Sequence, residues 1–433
     1  MDHAGLASSQ ALARIGAPID LYYADAENAK VQAIPVEYNT RFSQDFSNKG
    51  AGTSVFLIPP GNGLRHVVIA IGYNASSINT QTGSRALPRG WGYSAISQVS
   101  FRIGGSSQYF LSGQQLLARN MRLCRTQSQR DAILQLGGAE CKVATDFDVA
   151  QYAYIPVSVW AAPGDDGICL PLPADLLSQP VQVTCTLNPT SGFWTGPIAG
   201  FGGGDVAPPA QLDTATFTVE QFVMADKAMS LASRVDLNTH SYGMPLPSFD
   251  QQVFQAPLQV GLANQSVALS GFRAGEVTKL QIWLTKSTTS SSAVATAVIN
   301  PNLFYAPKEV TCLYAGVIFA QYLNGSSKIW NLLDGTAPAA VNQSVLAVTG
   351  GAFVSSAGLS QWAELPFAMP SGTDYEADVL RHGKQITNGI VNLQITPPDL
   401  EPTDSTTTGW TLNVAYVYNA TASFSKGSCD LVF

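Results

Sequence analysis

Charge is what this sequence has least of: Asp, Glu, Lys and Arg together make up 12% of its 433 residues, about half the usual share for a soluble chain. So thin a charged coat fits either a β-rich protein with many turns or a chain that hides a large area against other subunits. Basic clusters are missing as well, and the net charge is −7. A nucleic-acid groove needs Lys and Arg gathered along one face, so no direct nucleic-acid contact is expected. Histidine is scarce. His3, His66, His240 and His382 form no His-x-His or His-Glu-x-x-His pair, and no Gly-x-Ser-x-Gly occurs, so neither a catalytic constellation nor a metal site is expected. Cys124, Cys141, Cys169, Cys185, Cys312 and Cys429 include no Cys-x-x-Cys, which excludes the usual zinc signatures. Buried thiols are the expectation, although Cys169 and Cys185 flank an expected hairpin and are spaced to bridge. Long apolar runs are absent too. Nothing approaches the roughly 18–20 residues needed to cross a bilayer, and the N-terminal stretch lacks the apolar core of a signal peptide. A soluble, non-secreted protein is expected.

Two further features promise chemistry without supplying it. Gly200–Gly204 is glycine-rich but has no following Lys-Ser/Thr and no strand-to-helix frame, so no phosphate cradle or cofactor is expected there. Asp165-Asp166-Gly167 lacks the alternating acids and distal Glu of a calcium loop and reads as a solvated turn. Candidate glycosylation sequons stand at Asn74, Asn264, Asn324, Asn342 and Asn419. With 19 Asn and 70 Ser plus Thr, roughly three such triplets arise by chance.

What is present is strand texture. The densest stretch is Val99–Leu116, VSFRIGGSSQYFLSGQQL. Val99, Phe101 and Ile103 alternate with Ser100 and Arg102 as a half-buried strand does, and Gly104-Gly105 suits a tight turn. Ser112 stands at a helix N-cap with Gln115 completing a capping box. The helix runs to about Leu123, with Leu116, Leu117, Met121 and Cys124 on one side. A second helix spans Ser128–Leu136 and stops at Gly137-Gly138.

Along the chain, a short helix is expected near Gln10–Arg14. Strands follow at Leu21–Tyr23, Val31–Tyr38, Ser54–Ile58 and His66–Tyr73. Beyond the two helices come Tyr152–Trp160, Ile168–Leu172, Val181–Leu187 and Thr214–Val223. Asn188–Leu212 is a long Gly/Pro-rich loop, read as a contact surface or a flexible excursion. Met224–Ser233 reads as helix and Asn238–Pro257 as a Pro-containing linker. The second half offers strands at Val267–Phe272, Val277–Thr285, Leu313–Leu323, Lys328–Leu332, Val345–Val348, Trp362–Met369, Ile390–Thr396 and Trp410–Tyr418.

The two halves share an order of features. Val99–Gly113 resembles Val317–Gly335, the strand around Pro156 resembles the one around Pro366, and Val181–Pro189 resembles Gly389–Pro398. A repeated order implies a repeated unit. The fold class expected is all-β: two tandem antiparallel jelly-roll β-sandwiches, a double jelly roll, with a few short helices. The domains are expected at 1–237 and 258–433, with 238–257 as linker.

At these residues the chain also resembles a known family, the double jelly-roll major capsid proteins of nucleocytoplasmic large DNA viruses. The likeness lies in Ile15–Asp45, the strand and Ile-Gly-Gly turn at Val99–Gly105, the Tyr154–Trp160 and Cys169–Leu177 pair, and the tail Leu412–Phe433. It implies a non-enzymatic structural protein that forms homotrimeric, pseudo-hexagonal capsomers. These would tile the icosahedral shell of a large double-stranded DNA virus. The partners implied are its own copies, neighbouring capsomers and minor capsid proteins, above an internal membrane in some shells. The location implied is the virion capsid, assembled in the host cytoplasm. The alternatives are a minor capsid component, or a glycan-binding or glycan-cleaving β-sandwich whose carboxylate pair would need no fixed spacing.

Overall fold

The computed structural model describes residues 36–58, 63–78, 87–105, 109–124, 127–141, 146, 148–157, 172, 174, 177–194, 209–224, 241–272, 275–287, 302, 304–323, 362–367, 384–386, 390–399, 408–425 and 427–432. Among them, the first sandwich is built by β1 (Val36–Asp45), β2 (Gly52–Leu57), β3 (Gly63–Tyr73), β4 (Ile96–Arg102), β5 (Tyr109–Ser112), β6 (Gln151–Pro156), β7 (Gln182–Leu187) and β8 (Thr214–Met224). They pair antiparallel as β1-β8-β3-β6 and β2-β7-β4-β5. The first strand thus lies beside the last and the second beside the seventh, which is the rolled-up order of a jelly roll.

The second sandwich repeats that order. β9 (Ser241–Gln259), β10 (Gln265–Ala268), β11 (Glu276–Ser287), β12 (Glu309–Tyr314), β13 (Val317–Leu323), β14 (Ala363–Pro366), β15 (Lys384–Gln385), β16 (Val391–Thr396), β17 (Gly409–Ser425) and β18 (Ser428–Val432) follow in sequence. One sheet runs β9-β17-β11-β14 and the other β10-β16-β12-β13. The short β15 pairs with β11, and β18 folds back on the far end of β17. The fold is a double jelly roll.

Alternation builds each core. Val67, Ile69 and Ile71 on β3 and Phe217 and Val219 on β8 are buried, and they face Phe56, Val183, Cys185 and Val99 of the opposite sheet. Phe56 stacks on Phe217 with ring centroids 4.4 Å apart. Each such side chain contributes roughly 1.5–3 kcal/mol when fully buried. Leu280, Ile282, Leu393, Ile395, Leu412 and Val414 form the corresponding core of the second sandwich.

Among the described residues the two longest helices occupy one connection. After α1 (Ala75–Ile78) and α2 (Trp91–Ala95), α3 (Gly113–Leu123) and α4 (Gln127–Leu136) fill the connection between β5 and β6. Ser112 caps α3 as expected, its hydroxyl accepting from the Gln115 amide at 3.2 Å. Leu116, Leu117, Met121 and Cys124 are all buried. Gly138, with φ 127, ends α4.

Three expectations are corrected. The segment read as linker, 238–257, is for the most part β9, paired along its length with β17. Pro245 and Pro257 misled the reading, yet both fit because among the described residues β9 pairs on one side only, with β17, and an edge strand tolerates residues that lack an amide donor. Leu313–Leu323 is a hairpin, not a single strand: Ala315 (φ 49) and Gly316 (φ 82) reverse the chain between β12 and β13. No Asn-Gly announces that turn, and alanine at positive φ is uncommon. The repeat is real, but its first match is one strand out of step. The counterpart of the Gly104-Gly105 turn (φ 58 and 83) is Ala315-Gly316, with nearly the same φ angles. The matches at Pro156/Pro366 and at Val181/Gly389 do fall on equivalent strands.

Residues 324–327, the turn first matched to Gly104-Gly105, lie outside the described residues. So do the expected helix at 10–14, all but the first residue of the helix expected at Met224–Ser233, where Met224 ends β8, the strands at 21–23, 328–332 and 345–348, and residues 195–208 of the long loop.

Candidate assembly interface

The two central strands β11 and β17 read as almost unbroken apolar runs, KLQIWL and TLNVAYVY. Continuous apolarity means burial on both faces, and Leu280 to Leu284 and Leu412 to Tyr418 are buried throughout. One face fills the second sandwich. The other meets the first: Trp283, Ala415, Ala420, Ala422 and Phe424 belong to the same apolar cluster as Leu116, Leu117 and Met121 of α3.

Polar residues pin this junction. Gln281 is wholly buried; its Oε1 accepts from Arg122 Nη1 at 2.7 Å, and its Nε2 donates to the Ala118 carbonyl at 3.2 Å. Asn413 Oδ1 accepts from Gln255 Nε2 at 2.8 Å. Arg130 of α4 donates to the carbonyls of Met121 and Cys124, at 3.1 and 2.7 Å, satisfying the open end of α3. Its guanidinium lies 5.6 Å from the Trp362 ring centroid, and Trp362 Nε1 donates to Glu364 Oε1 at 2.9 Å. Glu364 also pairs with Lys279 at 3.4 Å. Burial pulls the Arg130 guanidinium below its usual value, while Cys124 and Glu364 oppose the shift. The Cys124 thiol beside it is pushed up to about 11 by burial, with the Arg130 charge acting against the rise.

Asn302, from the connection between β11 and β12, ties a second point. It donates to the Gly90 carbonyl at 2.9 Å and accepts from Ser94 Oγ at 2.9 Å, holding α2. The tail makes a third. Gly427 carbonyl accepts from the Ser178 amide at 2.7 Å, and Gly104 sits so close to the tail hairpin that a Cβ there would lie 3.1 Å from the Cys429 amide.

The first sandwich presents the equivalent outer face, and the registers superpose. Val68 pairs with Pro156 and Thr218, as Lys279 pairs with Pro366 and Val417. Ala70, Thr216 and Tyr154 therefore correspond to Gln281, Ala415 and Glu364, and Gly72 and Tyr152 to Trp283 and Trp362. The second set is buried beneath α3 and α4. In the first set Ala70, Thr216 and Thr218 are only half-buried, while Tyr152 and Tyr154 are exposed, Tyr154 at 46%. A Cβ on Gly72 would fall 2.3 Å from the Tyr152 ring, which lies across it. In the second sandwich, β13 exposes Val317 at 70% and Ile318 at 59%. Among the described residues it pairs only with β12.

The sequon asparagines fall elsewhere. Asn74 is exposed beside α1 and its amide donates to Asp213 Oδ2 at 2.7 Å. Asn264, exposed, turns the chain before β10 with φ 52. Asn419 lies in β17, and Asn324 and Asn342 lie outside the described residues. The five described cysteines, Cys124, Cys141, Cys185, Cys312 and Cys429, are buried free thiols. Among the described residues no group of three or more His, Cys, Asp or Glu could hold a metal, and no helix is long and apolar enough to cross a membrane. Sequence reading missed the junction residues Arg122, Arg130, Gln281, Glu364 and Asn413. The signal available was a lone Gln or Asn inside an apolar run.

No family profile matches the chain, and no curated protein matches it by sequence. Solved structures do match. The chain is similar to VP54 of PBCV-1, a crystal structure fitted into a cryo-EM reconstruction of the virophage Sputnik, with TM-score 0.61 at 13% identity, covering 92% of this chain and 97% of that one. A chain of the PBCV-1 virus capsid matches with TM-score 0.59 at 13% identity, over 92% and 97%. The Faustovirus major capsid protein matches with TM-score 0.51 at 10% identity, over 93% and 94%. At such identities the shared property is the fold, a double jelly roll found in viral capsid proteins.

Proposed function

We propose that this chain is a capsid protein whose three copies close a pseudo-hexagonal capsomer, and that such capsomers tile the icosahedral shell of a large double-stranded DNA virus. The observation that carries the reading is the repeated strand order. Two sandwiches of one topology, side by side, give three chains six near-equivalent sides, a shape that packs a flat lattice. The division into two domains, one up to residue 237 and one from β9 onward, belongs to this reading. The partners are its own copies, neighbouring capsomers and minor shell proteins. The site of action is the virion, after assembly in the host cytoplasm. No enzymatic step, cofactor or nucleic-acid contact is part of it.

Light scattering on a size-exclusion column, followed by electron microscopy of the same fraction, tests the proposal. The expected particle has the mass of three chains and a six-sided outline. A stable single chain that binds sugar would favour the glycan-binding alternative instead.

A further inference from the structure

The junction between the sandwiches is one-sided in its chemistry. On α3, Asn120 donates to the Tyr93 hydroxyl at 3.2 Å and to the Pro156 carbonyl at 2.9 Å, so this side of the helix is bound to the first sandwich. Leu116 and Leu117 share that side at helical spacing, and both are buried. The opposite side carries Gln115, Ala118 and Arg122, and there Gln281 of β11 meets the Ala118 carbonyl and the Arg122 guanidinium. Arg130 adds a second guanidinium, bonded within the helix pair through the carbonyls of Met121 and Cys124. Without its neighbour, the first sandwich would turn amide and guanidinium groups to water, where they are readily solvated. Its own outer sheet face already stands in water, with Tyr152 and Tyr154 exposed.

The second sandwich has no such alternative. Trp283, Trp362, Ala415, Ala420, Ala422 and Phe424, none more than 3% exposed, belong to the apolar cluster of the first sandwich and not to the second sandwich's own core. Standing alone, it would present two indoles and an apolar strand surface as one continuous patch, of a kind that soluble single chains rarely carry. From this asymmetry we infer that folding dependence in the chain runs one way: the first sandwich, with α3 and α4, is the platform on which the second forms, and the second has no stable folded state without it. The inference concerns the single chain and does not rest on the capsomer reading. It also sets an order. β1 to β8 precede β9 to β18 in sequence, so the platform is synthesised first, in the N-terminal-first order in which domains generally fold. The partly folded species it allows has the first sandwich formed and the second open; the reverse species is not populated.

Pulsed hydrogen exchange of the dilute full chain across a urea series tests the dependence, read by mass spectrometry on peptides from β3 and β8 and from β12 and β16. Leu393→Ala empties a fully buried site in β16, and Ile69→Ala one in β3. Leu393→Ala is expected to lower the urea midpoint of the β12 and β16 peptides by roughly 1–2 M, with β3 and β8 still protected where those strands have exchanged. Ile69→Ala is expected to give no urea concentration at which β12 and β16 are protected while β3 and β8 exchange. The milder Leu393→Val and Ile69→Val carry both measurements if an alanine variant fails to fold. Protection of β12 and β16 after β3 and β8 have exchanged, in any of these chains, overturns the inference by showing a second sandwich that stands alone. Simultaneous loss of all four strands in the Leu393 variants overturns it as well, because the first sandwich would then depend equally on the second.

Discussion

The two sandwiches share a strand order and a register, yet their outer faces have diverged. On the second, Trp283, Trp362, Gln281 and Glu364 are sealed under helices, the last three tied by hydrogen bonds. On the first, the same positions hold Gly72, Tyr152, Ala70 and Tyr154: the two tyrosines are exposed, Ala70 is half-buried and Gly72 lies under the Tyr152 ring. Residues fixed for good inside a chain can be bulky, buried and networked. A face left in water favours threonine and tyrosine, which keep a polar group hydrated beside an apolar body.

The largest effect expected from breaking this comparison is at the sealed face. Trp283→Ala should lower stability by about 3–5 kcal/mol, the usual cost of emptying a buried aromatic site. Tyr154→Ala at the open face should change the single chain by within about 0.5 kcal/mol. Urea unfolding of both variants in a non-assembling background would show the contrast, and equal losses would remove it. Next comes the polar pin. Gln281→Leu takes away the acceptor 2.7 Å from Arg122 and should cost about 1.5–3 kcal/mol, the range for hydrogen bonds to charged groups.

The paired turns give a smaller difference. Gly104→Ala places a methyl 2.6 Å from Leu177 Cδ2 at φ 58, whereas Gly316→Ala, at φ 82, meets nothing within 4 Å. Both incur the left-handed penalty of roughly 1–2 kcal/mol. Only the first should add a steric loss, seen as a lower melting temperature than its counterpart.

His66, on the open face, should give the smallest effect. Burial lowers its pKa, helped by Arg65 and opposed by Glu220. The unfolded chain therefore takes up the proton first as pH falls. Stability should be full above about pH 6.5 and decline below it, towards the folded-state value. Thermal melts of wild type and His66→Gln across pH 7.5 to 5 should differ only in that lower window.

Much of this was legible in the sequence because local signals and tertiary structure agree at those places. The Ser112 cap, the Gly104-Gly105 turn, the α3 apolar stripe and the Pro156/Pro366 correspondence each follow from a short-range rule that the fold respects. β9 was not legible, because its prolines signal a break unless one knows that it is an edge. The β12–β13 turn was hidden by an alanine in a conformation that alanine rarely adopts. The sealed face was visible as continuous apolarity in β11 and β17. The open face was not, since Tyr152 and Tyr154 alternate with buried Ala153 and Ile155 just as outward residues of any strand do.

Hydroxyl-radical footprinting of the dilute, unassembled chain tests the contrast between the two outer faces most directly. Tyr152 and Tyr154 should be oxidised readily, with Trp283 and Trp362 protected. Equal oxidation of the tyrosines and the tryptophans would contradict the account.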